Sequence, residues 1–384
     1  MMFEKVKEFM ALTSTHERKT WLSENRNYIL KNLSILLFSI YTFVNIINTN
    51  LRMDISFIIF STLYVFSIYL CISIGLNMTY KLIGFANFAH AELFIVGAYV
   101  GVAWSEIYSE RSPILQDYFG ALLVAFLLAG IVALLSDLLV FQPIRQLNAS
   151  NESLMISSIG VGLIIRNIVS MFYGGKAVYF RLPSSQEIPR IDIPSVLFGS
   201  ISGVTPLNIK GTNFALRYEI LLALTVSLVM VGGLFLFLEK TKLGKALRST
   251  ADNKDLAEIS GIDTLRMIRI TWFIGGGLAG VSGIIFASTL PVIPFSGFLF
   301  LLPAFAVIVL GGVGSLKGSV YAAMIIAFTQ VLSNSYLTSI ERILLDTPYE
   351  RTALVSYNTI TPFIILIFVI WNLLGRFWVI IGAL

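Results

Sequence analysis

Five side chains with chemical capacity interrupt stretches that are otherwise apolar. In LIGFANFAHAELFIVGAYVG, residues 82–101, they are Asn87, His90 and Glu92; in GVGLIIRNIVSMF, residues 160–172, they are Arg166 and Asn167. A charged side chain at mid-membrane costs about 2.5 to 3.5 kcal/mol on insertion scales, so Glu92 and Arg166 must face protein or water, be paired, or, for Glu92, be protonated. Arg166 has the further option of reaching the outer interface with its long side chain. On a helix entered from Lys81, Asn87 and His90 share a face and Glu92 points away from both. The stretch from Asn87 to Glu92 then sits about 9 to 17 Å from the helix start. Asn87 and His90 are expected either to hydrogen-bond to neighbouring helices or to line a path through the membrane. Glu92 is expected to find a structural partner beside a water-filled cavity.

Other chemistries fit less well. Gly280-Val281-Ser282-Gly283 has the G-x-S-G form of intramembrane serine proteases, with His90 as a conceivable base. Such a pair requires hydrogen-bond reach and oxyanion donors, and those enzymes place the histidine after the serine, whereas His16 and His90 both precede it. A nucleotide-hydrolysing loop needs G-x-x-x-x-G-K-[ST], and neither Gly175-Lys176-Ala177 nor Gly244-Lys245-Ala246 fits. Gly275, Gly277 and Gly280 satisfy G-x-G-x-x-G, but without a preceding strand they read as small residues that let helices approach, with Gly276 and Gly280 at packing distance. Cys71 is alone, so there is no internal disulfide and no cysteine metal cluster.

The elements that must carry these residues follow from composition. Of 384 residues, 56% are hydrophobic and 13% charged, too little polar surface for a soluble body. The formal charge of +5 lies between apolar runs, which speaks for membrane orientation and lipid headgroups rather than for a nucleic-acid partner. Runs of about 20 residues, enough to cross about 30 Å of hydrocarbon, predict an all-α polytopic bundle. About ten helices are expected, at 28–47, 55–76, 82–104, 119–141, 153–173, 216–238, 268–289, 297–312, 316–336 and 359–382. Residues 1–27 are expected to form an amphipathic cytoplasmic lead, and 28–384 one membrane domain. Both termini inside places segment 239–267, with Lys240, Lys242, Lys245, Arg248, Lys254 and Arg266, in the cytoplasm, as the positive-inside rule asks. It places 174–215 outside. Helices five positions apart then run in opposite senses, which permits a five-plus-five inverted repeat.

Within 239–267, Leu243, Ala246, Leu247 and Ala251 form a narrow apolar stripe with Lys242, Lys245 and Arg248 away from it. Asp252 is expected to cap a second short helix that stops at Gly261. Such a hairpin is either a basic connector on lipid headgroups or a docking element, its stripe seated in a groove of a cytoplasmic partner.

Four ordered segments, IGLNMTYKLIGFANFAHAELFIVGAYVG, FQPIRQLNASNESLMISSIGVGLIIRNIV, EKTKLGKALRSTADNKDLAEISGI and FAVIVLGGVGSLKGSVYAA, resemble the membrane permeases of branched-chain amino acid ABC importers, a class with relatives for urea and short amides. The resemblance covers about residues 70–330 and is strongest at Asn87–Glu92 and Val309–Gly318. It departs at Ala91, where glycine is more usual, and at Arg166, where a neutral amide is more familiar. It implies a non-enzymatic subunit in the cell membrane, working by alternating access with a second permease (identical or sister), two cytoplasmic ATPases and an extracytoplasmic solute-binding protein. No cofactor is implied for this chain; ATP and Mg²⁺ would sit on the ATPases. Residues 240–261, including Leu243, Gly244, Ala246, Leu247, Arg248, Ala251, Asp252 and Gly261, would contact an ATPase, and Gly311, Gly312, Gly314 and Gly318 would give a loop its flexible backbone. The expected solute is a branched-chain or hydrophobic amino acid. The alternatives are urea or a short amide, or a proton-coupled secondary transporter using Glu92 or His90.

Overall fold

Apolar helices flank tight glycine turns throughout the computed structural model, which describes residues 55–108, 114–180 and 218–345, with isolated positions after 361. The lead 1–27, the expected helices 28–47 and 359–382 and most of the loop 174–215 lie outside the described residues. The helices are α1 (Ile55–Ile83), α2 (His90–Tyr108), α3 (Ile114–Ser136), α4 (Gln142–Gln146), α5 (Asn151–Tyr173), α6 (Tyr218–Lys240), α7 (Lys242–Asp252), α8 (Lys254–Ile259), α9 (Thr264–Ala287), α10 (Ser296–Gly311) and α11 (Leu316–Leu345). Among the described residues there is no strand, only a two-residue antiparallel bridge between Val178 and Val292. Six helices among the described residues are long and apolar enough to cross a membrane; α10, at 16 residues with Pro303 inside, is shorter.

The centre is α9, which packs against α1, α2 and α3. Its glycines allow this. A Cβ on Gly276 would run into Ala133 on α3, and one on Gly280 would come 2.7 Å from the Ala125 carbonyl, so the helices approach backbone to backbone, as small-residue membrane interfaces do. Aromatic rings fill the wider gaps: Phe94, Phe286 and Phe300 pack together, and Phe141 stacks on Trp272 at 5.0 Å. Outward faces of α3 and α5 expose Leu123, Leu135, Ile164 and Met171, as lipid or a partner chain requires.

Two expected helices are interrupted. The run 82–104 is not one helix. Gly84, at φ +88°, ends α1 with its N–H on the Tyr80 carbonyl, a left-handed stop open to glycine at little cost, and α2 begins only at His90. The run 119–141 passes through a π-helical turn, Asp137–Phe141, before α4. There Arg145 donates to buried Asp137 at 2.6 Å.

Candidate functional site

Residues 84–89 re-enter the protein as irregular backbone. The His90 ring lies beside Ile72 and Gly75 of α1, and Gly75 is about 12 Å of helix before Ile83, so α2 starts well inside the bundle. Backbone without a helix at that depth is tolerated only where protein satisfies it. Here Asn87 turns the chain, its Oδ1 accepting from the Ala89 N–H at 3.0 Å and its carbonyl from the His90 N–H at 3.3 Å. Ser158 of α5 accepts the Phe88 N–H at 2.9 Å. Phe88 packs on Phe305 of α10, and Phe85 on Phe141 and Trp272. Asn87 therefore does not share a helical face with His90. Asn87, His90 and Glu92 are all buried, and the Nδ2 of Asn87 and one Glu92 oxygen have no partner among the described residues.

Glu92, in the first turn of α2, accepts from Arg166 of α5: Nε at 3.1 Å and Nη2 on the same oxygen. The guanidinium also lies 5.3 Å from the Phe295 ring centroid and 5.8 Å from that of Phe298, at cation–π distance. The pair answers the question the sequence posed: two side chains that are costly alone in hydrocarbon are spent on one another. Asn167 is not part of this constellation. Its Nδ2 donates to the Leu163 carbonyl of its own helix, and the residue faces outward.

A second site sits at the end of the bundle where α1, α6 and α10 finish. Segment 242–261 forms the two short helices expected, with different caps and a different face. Thr241 caps α7 through the Gly244 N–H, and Asn253 rather than Asp252 caps α8 through the Leu256 N–H at 2.9 Å. Asp252 instead pairs with Lys81 at 2.9 Å. Gly261, at φ +82°, follows the end of α8 as expected. Leu247 is 4% exposed and packs into the chain's own core, beside buried Gly244, which meets the α6 backbone. Ala246 and Ala251 are half-buried. The apolar side chains left facing outward are Leu243 at 40%, Leu256 at 61% and Ile259 at 84%, so the outward stripe is not the predicted one.

The turn between α10 and α11 touches this hairpin's seat. Gly312 and Gly314 take positive φ, and a Cβ on Gly318 would strike the Gly311 carbonyl. Asn77 of α1, unremarked in the sequence, fixes the turn: Gly314 N–H donates to its Oδ1 at 2.7 Å, while its Nδ2 donates to the Ser315 carbonyl at 3.1 Å and to Ser319 at 2.7 Å. A lone asparagine in an apolar helix was the available signal.

Residues 58–370 match the family described as "Branched-chain amino acid transport system / permease component". The chain belongs to that family. It is 30% identical over 280 residues to the "High-affinity branched-chain amino acid transport system permease protein LivH" of Escherichia coli K12, covering 71% of this chain and 84% of that one. It is 29% identical over 270 residues to the "Probable branched-chain amino acid transport permease protein LivH" of Methanocaldococcus jannaschii, covering 70% and 78%. To LivM of E. coli K12 it is 23% identical over 283 residues, covering 70% and 62%. No solved structure matches. The permease is thus a multi-pass membrane subunit of a transporter class and not an enzyme. In keeping with this, Ser282 of the permease is fully buried, its hydroxyl donating to the Ala279 carbonyl at 2.7 Å, and Gly280 is a packing residue.

Proposed function

We propose that the permease forms the translocation path of an ATP-driven importer for branched-chain or other hydrophobic amino acids, in the cell membrane with both termini cytoplasmic. The observation that carries this reading is the family match over residues 58–370, with relatives named for branched-chain amino acid transport. A second permease, identical or sister, would complete the path; two ATPases holding ATP and Mg²⁺ would drive it, and a solute-binding protein would feed it. In the whole chain, helices at 28–47 and 359–382 would bring the count to about ten and allow the inverted repeat.

The hairpin of α7 and α8 would be the coupling element, presenting Leu243, Leu256 and Ile259 to an ATPase groove. The re-entrant stretch would contact solute. Discontinuous helices in transporters place a half-helix N-terminus toward anionic groups of the substrate, and α2 begins at such a break, with Asn87 Nδ2 unspent and Arg166 beside it. Alternating access then requires nucleotide to bind more tightly in one arrangement of the hairpin than in the other.

Reconstitution with the ATPases and binding protein tests this: ATP-dependent uptake of leucine is expected, lost when the ATPase is inactivated and insensitive to a protonophore. Uptake of urea or short amides with none of leucine would move the chain to the neighbouring solute class. Uptake that survives ATPase inactivation and stops with the protonophore would establish the proton-coupled alternative, against which the engagement of Glu92 with Arg166 already weighs.

A further inference from the structure

A cavity of about 300 Å³ opens where the ends of α1 and α6, the helix α7 and the start of α11 meet. Met78, Phe235, Leu238 and Leu247 line it with apolar side chains, and the exposed Glu239, Arg248 and Lys317 line it with charge. Lys81 also reaches the cavity but is engaged by Asp252. Among the described residues, Glu239, Arg248 and Lys317 form no ion pair with one another or with any other group. The cavity therefore offers two cations, one carboxylate and an apolar wall in a space at the small end of the range for ligand sites. That combination complements a small zwitterion with an apolar side chain: carboxylate toward Arg248 and Lys317, ammonium toward Glu239, hydrocarbon against Met78 and Leu247. An anionic lipid would bring its phosphate against Glu239 and needs room for two chains.

We infer that this cavity is a discharge-side site for the transported apolar amino acid, through which accumulated solute slows further import. The inference rests on the solute and orientation proposed above. An occupant would touch α1, α6, α7 and α11 together, and a ligand bound in one arrangement only stabilises that arrangement by RT ln(1 + [L]/Kd). Solute that has built up in the cytoplasm would hold α7 seated and oppose the movement that ATP must drive.

The test uses the complete importer in liposomes of phosphatidylcholine and phosphatidylglycerol, loaded with ATP, with or without unlabelled leucine inside, and follows the initial rate of labelled leucine entry. Preloading is expected to slow the wild type several-fold. Glu239→Gln/Lys317→Gln is expected to import at the wild-type rate when nothing is preloaded and to be scarcely slowed when leucine is. Equal slowing of both, or none in the wild type, overturns the inference while leaving the proposed function standing. A wild type that imports no apolar amino acid at all removes the proposed function first and this site with it. Binding of labelled leucine to the purified importer without its solute-binding protein gives a readout independent of uptake: the single variants Glu239→Gln and Lys317→Gln should each weaken it, and retention equal to wild type overturns the site. Loss of co-purifying phosphatidylglycerol from the variants, with leucine binding unchanged, would identify a lipid site and overturn it equally.

Discussion

Glu92 and Arg166 differ in how deeply each depends on the other. The Glu92 side chain is 3% exposed and that of Arg166 20%, and Arg166 retains the Phe295 and Phe298 rings if its partner is neutralised. Removing the arginine strands a buried carboxylate; removing the carboxylate's charge strands a cation with an aromatic fallback. Arg166→Gln should therefore destabilise the purified permease by about 3 kcal/mol, at the scale of broken buried pairs, and Glu92→Gln by less, and the double variant should recover much of the loss in thermal or detergent unfolding. A double variant no better than Arg166→Gln alone would show that the two charges do not stabilise each other. The identities of both residues were plain in the sequence because charges in apolar runs stand out. Their pairing was not, since 74 residues separate them and no local pattern carries that contact. Asn167, one position from Arg166, looked equivalent only because adjacency in sequence says nothing about which side of α5 faces protein.

At the scale of elements, hydropathy located the spans that fall on described residues but could not register an interruption made of apolar residues. LIGFANFA reads as continuous helix because Phe85, Phe88 and the alanines are as apolar as what surrounds them; the positive φ of Gly84 and the turn at Asn87 are backbone events. The hairpin shows the complementary limit. Spacing gives α7 an apolar stripe but not what the stripe faces, and Leu247 turned out to face its own bundle. Leu247→Asp should therefore unfold or mislocalise the permease, since an unpaired charge would be forced into the core. Ile259→Asp should leave folding intact and uncouple ATP hydrolysis from uptake. Detergent-solubilised yield and melting, measured beside transport-linked ATPase activity, separate the two. A stable Leu247→Asp would mean that α7 is seated differently, and normal coupling in Ile259→Asp would take the outward face out of the docking role. The glycine turn makes a similar prediction. Asn77→Ala leaves the Gly314 N–H without its acceptor, at roughly 1 to 3 kcal/mol for a group left unsatisfied, while the Ser315 carbonyl keeps the Ser319 N–H and hydroxyl. The expected readout is a lowered melting temperature with faster proteolysis between α10 and α11. Unchanged protection would mean that the turn is held by the glycine backbone alone.

For the whole molecule, orientation ties these elements to function. The helix α9 runs from Thr264, just after the hairpin, to Ala287, shortly before Val292 and its bridge to Val178. Its 24 residues span about 36 Å, more than the roughly 30 Å of hydrocarbon in a bilayer, so the hairpin and the Val178–Val292 bridge belong on opposite sides. By the positive-inside rule the basic residues Lys240, Lys242, Lys245, Arg248, Lys254 and Arg266 would put the hairpin inside, the orientation proposed above. Cys71 is the chain's sole cysteine and is fully buried, so introduced thiols can be read against a low background. Lys254→Cys in α8 should react with a membrane-impermeant maleimide only when the inner face is opened to the reagent. Tyr179→Cys, at a position 63% exposed beside the bridge, should react in intact cells. Reaction of both thiols from one side would mean that α9 does not cross the bilayer. Reversed sidedness would keep the bundle but turn it over, separating the hairpin from any cytoplasmic ATPase and leaving the cavity beside it on the face where solute arrives.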